Sequence, residues 1–179
     1  MEEHQVVPDV LDEVPPAVVQ IKYGDAEVNN GNVLTPTQVL TPPTQVIWPV
    51  KENALYTLCM TDPDAPSRQD PKFREFHHWL VVNIPGSDIA RGKVLSDYVG
   101  SGPPRDTGLH RYVFIVYEQP GPLECDEPII PKNSAEHRRS FSIRKFAAKY
   151  NLRLVAGNLY QAEYDPSSDL VHKQLGIRK

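Results

Sequence analysis

Proline is the residue that most constrains how this chain can fold. There are 18 prolines in 179 residues, about twice the usual share of roughly 5%, and they are scattered through the first two thirds of the sequence. Proline fixes φ and lacks a backbone N–H donor, so it interrupts helices but is accepted in turns. Long helices are therefore excluded there, and short strands separated by turns are predicted.

Six segments have the composition of such strands. They are short, rich in β-branched or aromatic residues, and bounded by Pro, Gly, Asn or Asp, which is typical of a sandwich or barrel. The predicted strands cover residues 18–23, 45–50, 55–61, 76–84, 111–119 and 154–164. The fourth and fifth contain runs that are apolar on both faces, so we expect them in the middle of a sheet.

Two helices are predicted in the last third. The first covers 140–151, with Ser140 or Ser142 as its N-cap. Its apolar residues recur with helical spacing: Ile143, Phe146, Ala147 and Tyr150. The second runs from Asp165 as N-cap to a stop at Gly176. The near repeat LTPTQV/LTPPTQV at 34–46 predicts an extended edge segment with a turn, and no domain boundary is visible.

Charge limits the classes of partner. The net charge is −4 and the isoelectric point is near 5.8. Electrostatic binding of nucleic acid requires a basic surface, so no nucleic-acid partner is expected. The segment from Lys132 to Arg153, however, contains seven Lys or Arg and only one acidic residue, Glu136. This basic segment is interpreted either as a solvated helix face or as a surface for an acidic partner or anionic lipid.

Cysteine usage and the chain's start indicate the compartment. Cys59 and Cys125 are far apart and lie in no CxxC pair or metal spacing, so we expect free thiols in a reducing compartment. The first ten residues lack the features of a signal peptide, and no apolar run is long enough for a membrane span. A cytoplasmic protein is expected.

Two adjacent histidines, His77 and His78, lie near the start of the strand predicted at 76–84. Because side chains alternate along a strand, His78 is expected to share a face with Leu80, and His77 with Trp79. The two histidines then cannot ligate one metal ion, and the chain lacks thiolate spacing and an HExxH motif, so no metal site is predicted. His77 is interpreted as a core residue with both ring nitrogens satisfied or as part of a site.

A second stretch, residues 97–117, also has the character of a ligand site. The N–H groups of the run from Gly100 to Gly102 can turn inward as an anion-binding nest, although the run fits no nucleotide-binding motif. His110 and Tyr112 are two residues apart and share a strand face beside it. Such a site offers donors and little negative charge, which suits phosphate, and charged histidines are expected to donate to it.

Two aspartates complete the pattern. Asp62 can orient a histidine and favour its cationic form, or meet the ammonium group of a zwitterionic ligand. Asp64 is interpreted as capping its own turn. A D-x-D pair after a buried strand also occurs where one aspartate attacks a phosphoryl group and the second acts as acid and base. That mechanism needs Mg²⁺ and a parallel α/β scaffold, whose alternating helices this chain lacks.

Three motifs together closely resemble the phosphatidylethanolamine-binding protein family, nearest its animal branch of Raf kinase inhibitor protein-like members. They are DPDAPSR (62–68), the histidine pair, and GSGPP followed by GLHRYVFIVYEQ (100–119). The similarity extends over nearly the whole chain. It implies a single domain, 1–179, that is mostly β: a two-sheet antiparallel β-sandwich, Greek-key-like, with a few short helices including a C-terminal one.

The resemblance also implies a small ligand pocket at one end of the sandwich, without cofactor or metal. Carried over position by position, the pocket residues are Asp62, Ala65, Pro66, His78, Gly100, Gly102, His110 and Tyr112. A non-proline cis peptide maps to Arg74–Glu75. The chain departs from the family at the pocket rim, where Phe76 stands in place of a common tryptophan and His172 in place of a tyrosine.

The resemblance implies a non-catalytic binding protein for phosphate, phosphorylethanolamine or phospholipid head groups that regulates signalling proteins. Its expected partners are such an anionic or zwitterionic head group, kinases or serine proteases that it inhibits, and a membrane surface contacted peripherally. Two alternatives stay open: a Mg²⁺-dependent phosphatase using Asp62 and Asp64, and a protein-interaction module whose pocket is vestigial.

Overall fold

Two β-sheets form the protein, whose fold is mostly β as predicted; the computed structural model describes residues 1–177. The strands are β1 (Gln20–Tyr23), β2 (Ala26–Glu27), β3 (Asn32–Val33), β4 (Gln45–Ile47), β5 (Leu55–Asp62), β6 (Phe76–Pro85), β7 (Lys93–Ser96), β8 (His110–Glu118) and β9 (Arg153–Ala162). All six predicted strands are present. The three that were not predicted, β2, β3 and β7, are only two to four residues long, too short for a recognisable alternation.

The sheets differ in size. The smaller has the order β2-β1-β4, and the larger has the order β3-β9-β8-β5-β6-β7. Every pairing is antiparallel except β3 with β9, which is parallel. The strands that are apolar on both faces, β6 and β8, have neighbours on both sides, as expected for buried strands.

Two apolar layers cover the larger sheet. One lies between the sheets, where Ile21 and Trp48 pack toward Leu58 and Phe114. The other lies on the outer face, where residues such as Ile115 pack beneath the N-terminal segment and a helix. Because both faces are covered, the central strands are buried almost throughout their length.

The helices are short: α1 (Val6–Asp9), a 3₁₀ turn (Ile89–Arg91), α2 (Ile143–Lys149) and α3 (Pro166–Leu175). Ser142, rather than Ser140, caps α2 by accepting a hydrogen bond from the Lys145 N–H. Asp165 caps α3, and Gly176 ends it in the left-handed conformation at φ 72°, which glycine adopts without strain. The segment predicted at 34–46 as extended with a turn contains that turn at 36–39 and ends in the edge strand β4, but no regular strand precedes Gln45.

Part of the basic segment from Lys132 to Arg153 is buried or paired with acids within the protein. Arg138 is completely buried. Three other cations pair with acids: Arg144 with Asp12, Lys149 with Asp126 and Glu127, and Arg153 with Glu118. The segment is therefore neither a uniformly solvated face nor a continuous positive surface.

Both cysteines are free thiols, as predicted; Cys59 is buried and Cys125 is half-buried. Burial raises the pKa of the Cys59 thiol well above its ordinary value. Within residues 1–177, no helix combines the length and the apolar character needed to cross a bilayer.

Glu75 is a buried carboxyl group at the start of β6. Thr61 Oγ1 donates to its Oε1 over 2.9 Å, and the Ile143 N–H at the start of α2 donates over 3.4 Å. Burial is the largest influence on Glu75 and raises its pKa from 4.5 to about 7, although both hydrogen bonds lower it. Glu75 therefore holds a proton in the folded protein at pH values where the unfolded chain has released it.

We expect Glu75→Gln to remove this pH dependence. The raised pKa contributes stability that is fully present below pH 4.5 and is lost as pH rises through about 7. Gln keeps an acceptor for Thr61 but cannot ionise. Relative to the wild type, the free energy of unfolding of the variant should therefore rise by about 3 kcal/mol between pH 4.5 and pH 8. Urea unfolding at both pH values measures this. The same substitution at exposed Glu52 is the control, and equal pH dependence in the two variants would contradict the assignment.

Candidate functional site

A cavity of about 150 Å³ lies where β5, β6 and β8 meet α3. Seven of the eight predicted pocket residues line it: Asp62, Ala65, Pro66, His78, Gly102, His110 and Tyr112. The two predicted rim residues, Phe76 and His172, line it as well. Residues from widely separated parts of the sequence therefore converge on one site.

A β-bulge directs His78 into this cavity. In the pairing of β5 with β6, Met60 faces Trp79 and Thr61 faces His77, so His78 has no partner on β5. An extra residue of this kind bends the strand and re-aims its own side chain. The bulge thus separates the adjacent histidines, and His77 lines a different cavity.

The same bulge overturns the strict alternation expected along β6. Leu80 was expected to share a face with His78, but it lines a cavity with His77. Trp79, expected beside His77, lies in the core between the sheets. The alternation is wrong here because one residue is inserted opposite β5, which shifts the next side chains to the other face until a second irregularity in the same pairing restores the register at Ile84.

His78 is neutral near pH 7. Its Nδ1 lies 2.9 Å from the Val99 carbonyl oxygen, to which it donates, so its Nε2 carries a lone pair. Burial lowers the pKa of His78 to about 4, against the smaller raising influence of Asp62. Burial thus disfavours a charged His78 as donor.

His110 belongs to a hydrogen-bonded chain with Asp62 and Thr107. The Thr107 hydroxyl donates to the Pro104 carbonyl over 2.8 Å, so it accepts from His110 Nε2, also at 2.8 Å. Asp62 Oδ2 accepts from His110 Nδ1 over 2.9 Å. Both ring nitrogens of His110 thus face oxygen atoms that can accept a hydrogen bond. Asp62 orients His110, as proposed from the sequence.

Tyr112 supplies a hydroxyl group within an aromatic wall. Its ring stacks on Tyr160 with centroids 5.2 Å apart, and His78 meets it edge-on at 5.3 Å. Burial raises the pKa of Tyr112 well above its ordinary value, so the hydroxyl keeps its proton. It is available as a neutral hydrogen-bond donor.

The glycine run does not form the predicted anion nest. Such a nest alternates right- and left-handed residues, and neither Gly100 nor Gly102 has a positive φ. Close packing explains instead why positions 100 and 102 are glycine. A Cβ on Gly100 would lie 2.8 Å from the Val39 carbonyl oxygen, and one on Gly102 would lie 2.9 Å from Val171 Cγ1. Gly100 is the predicted pocket residue that is not among those lining the cavity.

Several lining residues were missed by sequence reasoning: Phe73, Pro104, Arg139, Val171, Leu175 and Ile177. Val171 and Leu175 lie on the apolar face of α3, a signal that the helical spacing contained. Nothing in the sequence indicated that Arg139 would line the cavity. Its guanidinium stands 5.2 Å from the centre of the Phe73 ring, where it places a positive charge beside an otherwise apolar rim.

Asp64 is not part of the cavity. Its backbone N–H donates to Asp62 Oδ1 over 2.6 Å, so Asp62 caps this turn and the role expected for Asp64 is wrong. The buried Asp64 carboxylate instead accepts three hydrogen bonds from Arg111. It is thus committed to an arginine and is not placed as the acid and base of a phosphatase. Residues 1–177 contain no cluster of three His, Cys, Asp or Glu suited to a metal ion. The Arg74–Glu75 peptide is cis, as the resemblance implied.

Comparisons with known proteins agree with this architecture. "Putative odorant-binding protein A5" of Drosophila melanogaster is 39% identical over 167 residues, which cover 92% of this chain and 79% of that protein. A carboxypeptidase Y inhibitor, solved in complex with its cognate proteinase, superposes with a TM-score of 0.77 at 27% identity over 92% of this chain and 93% of its own. The solution structure of CG7054 gives a TM-score of 0.75 at 49% identity, over 95% and 97%.

The sequence model described as "PBP: Phosphatidylethanolamine-binding protein" matches residues 24–161. This range includes β3 through nearly all of β9, and it contains the bulge at His78 and the Asp62–His110 pair. The chain therefore belongs to the phosphatidylethanolamine-binding protein family.

Proposed function

We propose that the cavity beneath α3 binds a phosphorylated or zwitterionic head group and that the protein acts by binding rather than by catalysis. The observation that carries this proposal is the mixed lining of the cavity. Asp62, His78, His110 and Tyr112 contact one another as a polar group, whereas most of the other lining residues are aromatic or aliphatic. A ligand with a polar head and an apolar substituent matches both.

The charges favour a ligand with a single negative charge. Asp62 pairs with His110 at 2.9 Å, and burial lowers the pKa of His78 to about 4, so Arg139 is the permanently charged cation in the lining. One anionic oxygen is compensated by Arg139, whereas a second would be desolvated without a partner, which costs free energy. An ammonium group on the same ligand can approach Asp62.

The lone pair of His78 determines where the phosphate proton goes. A phosphate monoester loses its second proton near pH ~6, and its monoanion carries one P–OH group. That hydroxyl can donate to His78 Nε2 while Tyr112 donates to another phosphate oxygen. Binding therefore uses the proton brought by the ligand, and affinity should fall as the monoester loses it.

Phosphorylethanolamine should bind roughly tenfold or more tightly at pH 5.5 than at pH 8, because its monoanion becomes scarce at the higher pH. Amide chemical shifts in a titration measure both the affinity and the location. His78→Phe keeps an aromatic ring but removes the acceptor, and about a tenfold loss is expected. His77→Phe is the matched control on the adjacent residue and should leave this affinity unchanged.

Ethanolamine O-sulfate separates proton sharing from simple charge. It is a monoanion that carries no P–OH group, so it should bind more weakly than phosphorylethanolamine at pH 5.5. Equal affinity for the two would overturn the role of His78. Shifts that cluster away from His78, His110 and Tyr112 would overturn the site itself.

We also propose that the protein exerts its effect by inhibiting another protein. A relative with the same fold was solved as a carboxypeptidase inhibitor bound to its proteinase, which supports a protease as the class of partner; a kinase rests on the family resemblance alone. Carboxypeptidase Y activity, assayed with the wild type and with His78→Phe, tests this. Inhibition by both proteins would place the inhibitory surface outside the pocket, and no inhibition would reject this proteinase.

A further inference from the structure

The bulge in β6 turns His77 away from the family pocket and toward a second cavity. This cavity measures about 280 Å³ and lies on the opposite side of the strand. Its walls are mostly apolar and include Leu80, Leu95, Ile130 and Phe141. Ser96 and His77 are its buried polar residues.

His77 has an unused hydrogen-bonding group at this position. Its Nε2 lies 3.1 Å from Ser96 Oγ, but its Nδ1 has no hydrogen-bond partner among the residues that the structure describes. The side chain is only 4% exposed. Buried polar atoms in folded proteins are nearly always hydrogen-bonded, so an orphaned one indicates a missing partner.

The environment keeps the His77 ring uncharged. Burial, followed by the charges of Arg138 and His78, lowers its pKa to about 3. A neutral imidazole has one donor and one acceptor nitrogen, and which of them faces Ser96 depends on the direction of that bond. Nδ1 therefore needs one donor or one acceptor, and a hydroxyl group can act as either.

Size and polarity limit what fits. A cavity of about 150 Å³ lined by aliphatic and aromatic side chains is sufficient for benzene, so the larger volume here admits a substituted ring. Phe141 lies against the His77 ring with centroids 4.2 Å apart and offers an aromatic wall. A cationic ligand would lose its hydration against these apolar residues without gaining a counter-ion, because Glu127 already accepts from Lys149 and Tyr150. The arginine of the lining, Arg139, is solvent-exposed and stands against Phe73, so it offers a buried anion little compensation.

We propose that this cavity is a second binding site, for a small uncharged molecule with an apolar, preferably aromatic, body and one hydroxyl group. The hydroxyl bonds His77 Nδ1, and the body packs against Phe141, Leu80 and Ile130. Nothing in this proposal depends on the first pocket being a head-group site.

The backbone of His77 and His78 lies between the two sites, because their side chains line different cavities. Arg138 holds this backbone in place. Its Nη1 donates to the carbonyl oxygens of both His77 and His78. Among the described residues, Arg139 alone lines both cavities, whereas His78 lines the first and His77 the second. Ligands can therefore be assigned to one cavity or the other by which histidine responds.

The probe for the test is phenol, with toluene as its nearly isosteric partner lacking a hydroxyl. Phenol titrated into ¹⁵N-labelled protein should give saturable amide shifts at Ser96 and Phe141 and should move the His77 Nδ1 resonance. The effect should saturate at millimolar concentration, since so small a ligand offers few contacts. Shifts that do not saturate, or that cluster at His78 and Tyr112, would overturn the site.

Two variants test the hydrogen bond. His77→Phe keeps a ring but removes Nδ1, so phenol should bind about tenfold more weakly while toluene is unaffected. His78→Phe should change neither. If His77→Phe fails to fold, the movement of the His77 Nδ1 resonance by phenol but not by toluene in the wild type decides the question. An equal response to the two probes would show that the nitrogen takes no part.

Discussion

Asp64→Asn is expected to lower the free energy of unfolding by about 3–5 kcal/mol, because it breaks a fully buried ion pair. Arg111 and Asp64 are both inaccessible to solvent. Asp64 Oδ2 accepts from the Arg111 backbone N–H and from Nε, each over 2.9 Å, and Oδ1 accepts from Nη2 over 2.7 Å. Burial lowers the pKa of Arg111, but its bonds to Asp64 and Asp9 leave that pKa raised overall. Arg111 stays charged even when Asp64 is replaced, because a guanidinium does not lose its proton at neutral pH.

Asp9→Asn is the matched control, since Asp9 pairs with the same guanidinium. Arg111 Nη1 donates to Asp9 Oδ2 over 2.9 Å, but the Asp9 side chain is 28% exposed. Partly solvated pairs contribute little, so a loss of about 1 kcal/mol or less is expected. Urea unfolding at pH 7 compares the two variants. Equal losses would show that burial does not set the strength of the Asp64 bond.

Arg138→Met should also destabilise the protein by about 3–5 kcal/mol. All five guanidinium N–H groups donate to backbone carbonyl oxygens, those of His77, His78, Asp97, Pro131 and Ser134. Burial lowers the pKa of Arg138 to about 10, so it remains charged at neutral pH. Methionine fills similar space but leaves these carbonyls without their donor. Arg138→Lys should recover less than half of the loss, because its three donors lack the planar fork.

Arg139→Met provides the control one residue along the chain. Arg139 is exposed and contacts Phe73 through its guanidinium, an interaction of roughly 0.5–1 kcal/mol at an accessible site. Its loss should therefore be small in thermal or urea unfolding. A large loss of stability in Arg139→Met, or a small one in Arg138→Met, would contradict the claim that the hydrogen bonds of Arg138 hold the backbone of His77 and His78 in place.

The strands and helices with a clear pattern were predictable from the sequence. Runs of β-branched and aromatic residues marked every strand of four or more residues except β7, and the cap residues Asp165 and Gly176 marked the ends of α3. These signals are local, since they depend on residues within one element. Most of the pocket was also predictable, although through motifs resembling a family rather than through spacing alone.

The remaining features depend on contacts between distant segments. The bulge at His78 exists only relative to its partner strand β5. The partner of Asp64 is 47 residues away, so nothing near Asp64 indicated that it would be buried. Arg138 looked like part of a basic surface, because charged residues are usually exposed. Protonation states depend on burial in turn, which is why the neutral state of His78 was not anticipated.

The position of β9 between β3 and β8 has a consequence for synthesis of the chain. The Asn30 N–H beside β3 donates to Asn158 Oδ1 in β9, a separation of 128 residues. At translation rates of about 5–20 residues per second, the early segment waits roughly 6–25 s before its partner is made. During that time the exposed edges of β3 and β8 are open to incorrect pairing. A ribosome-bound chain that ends before residue 153 should therefore depend on chaperones more than the finished protein does.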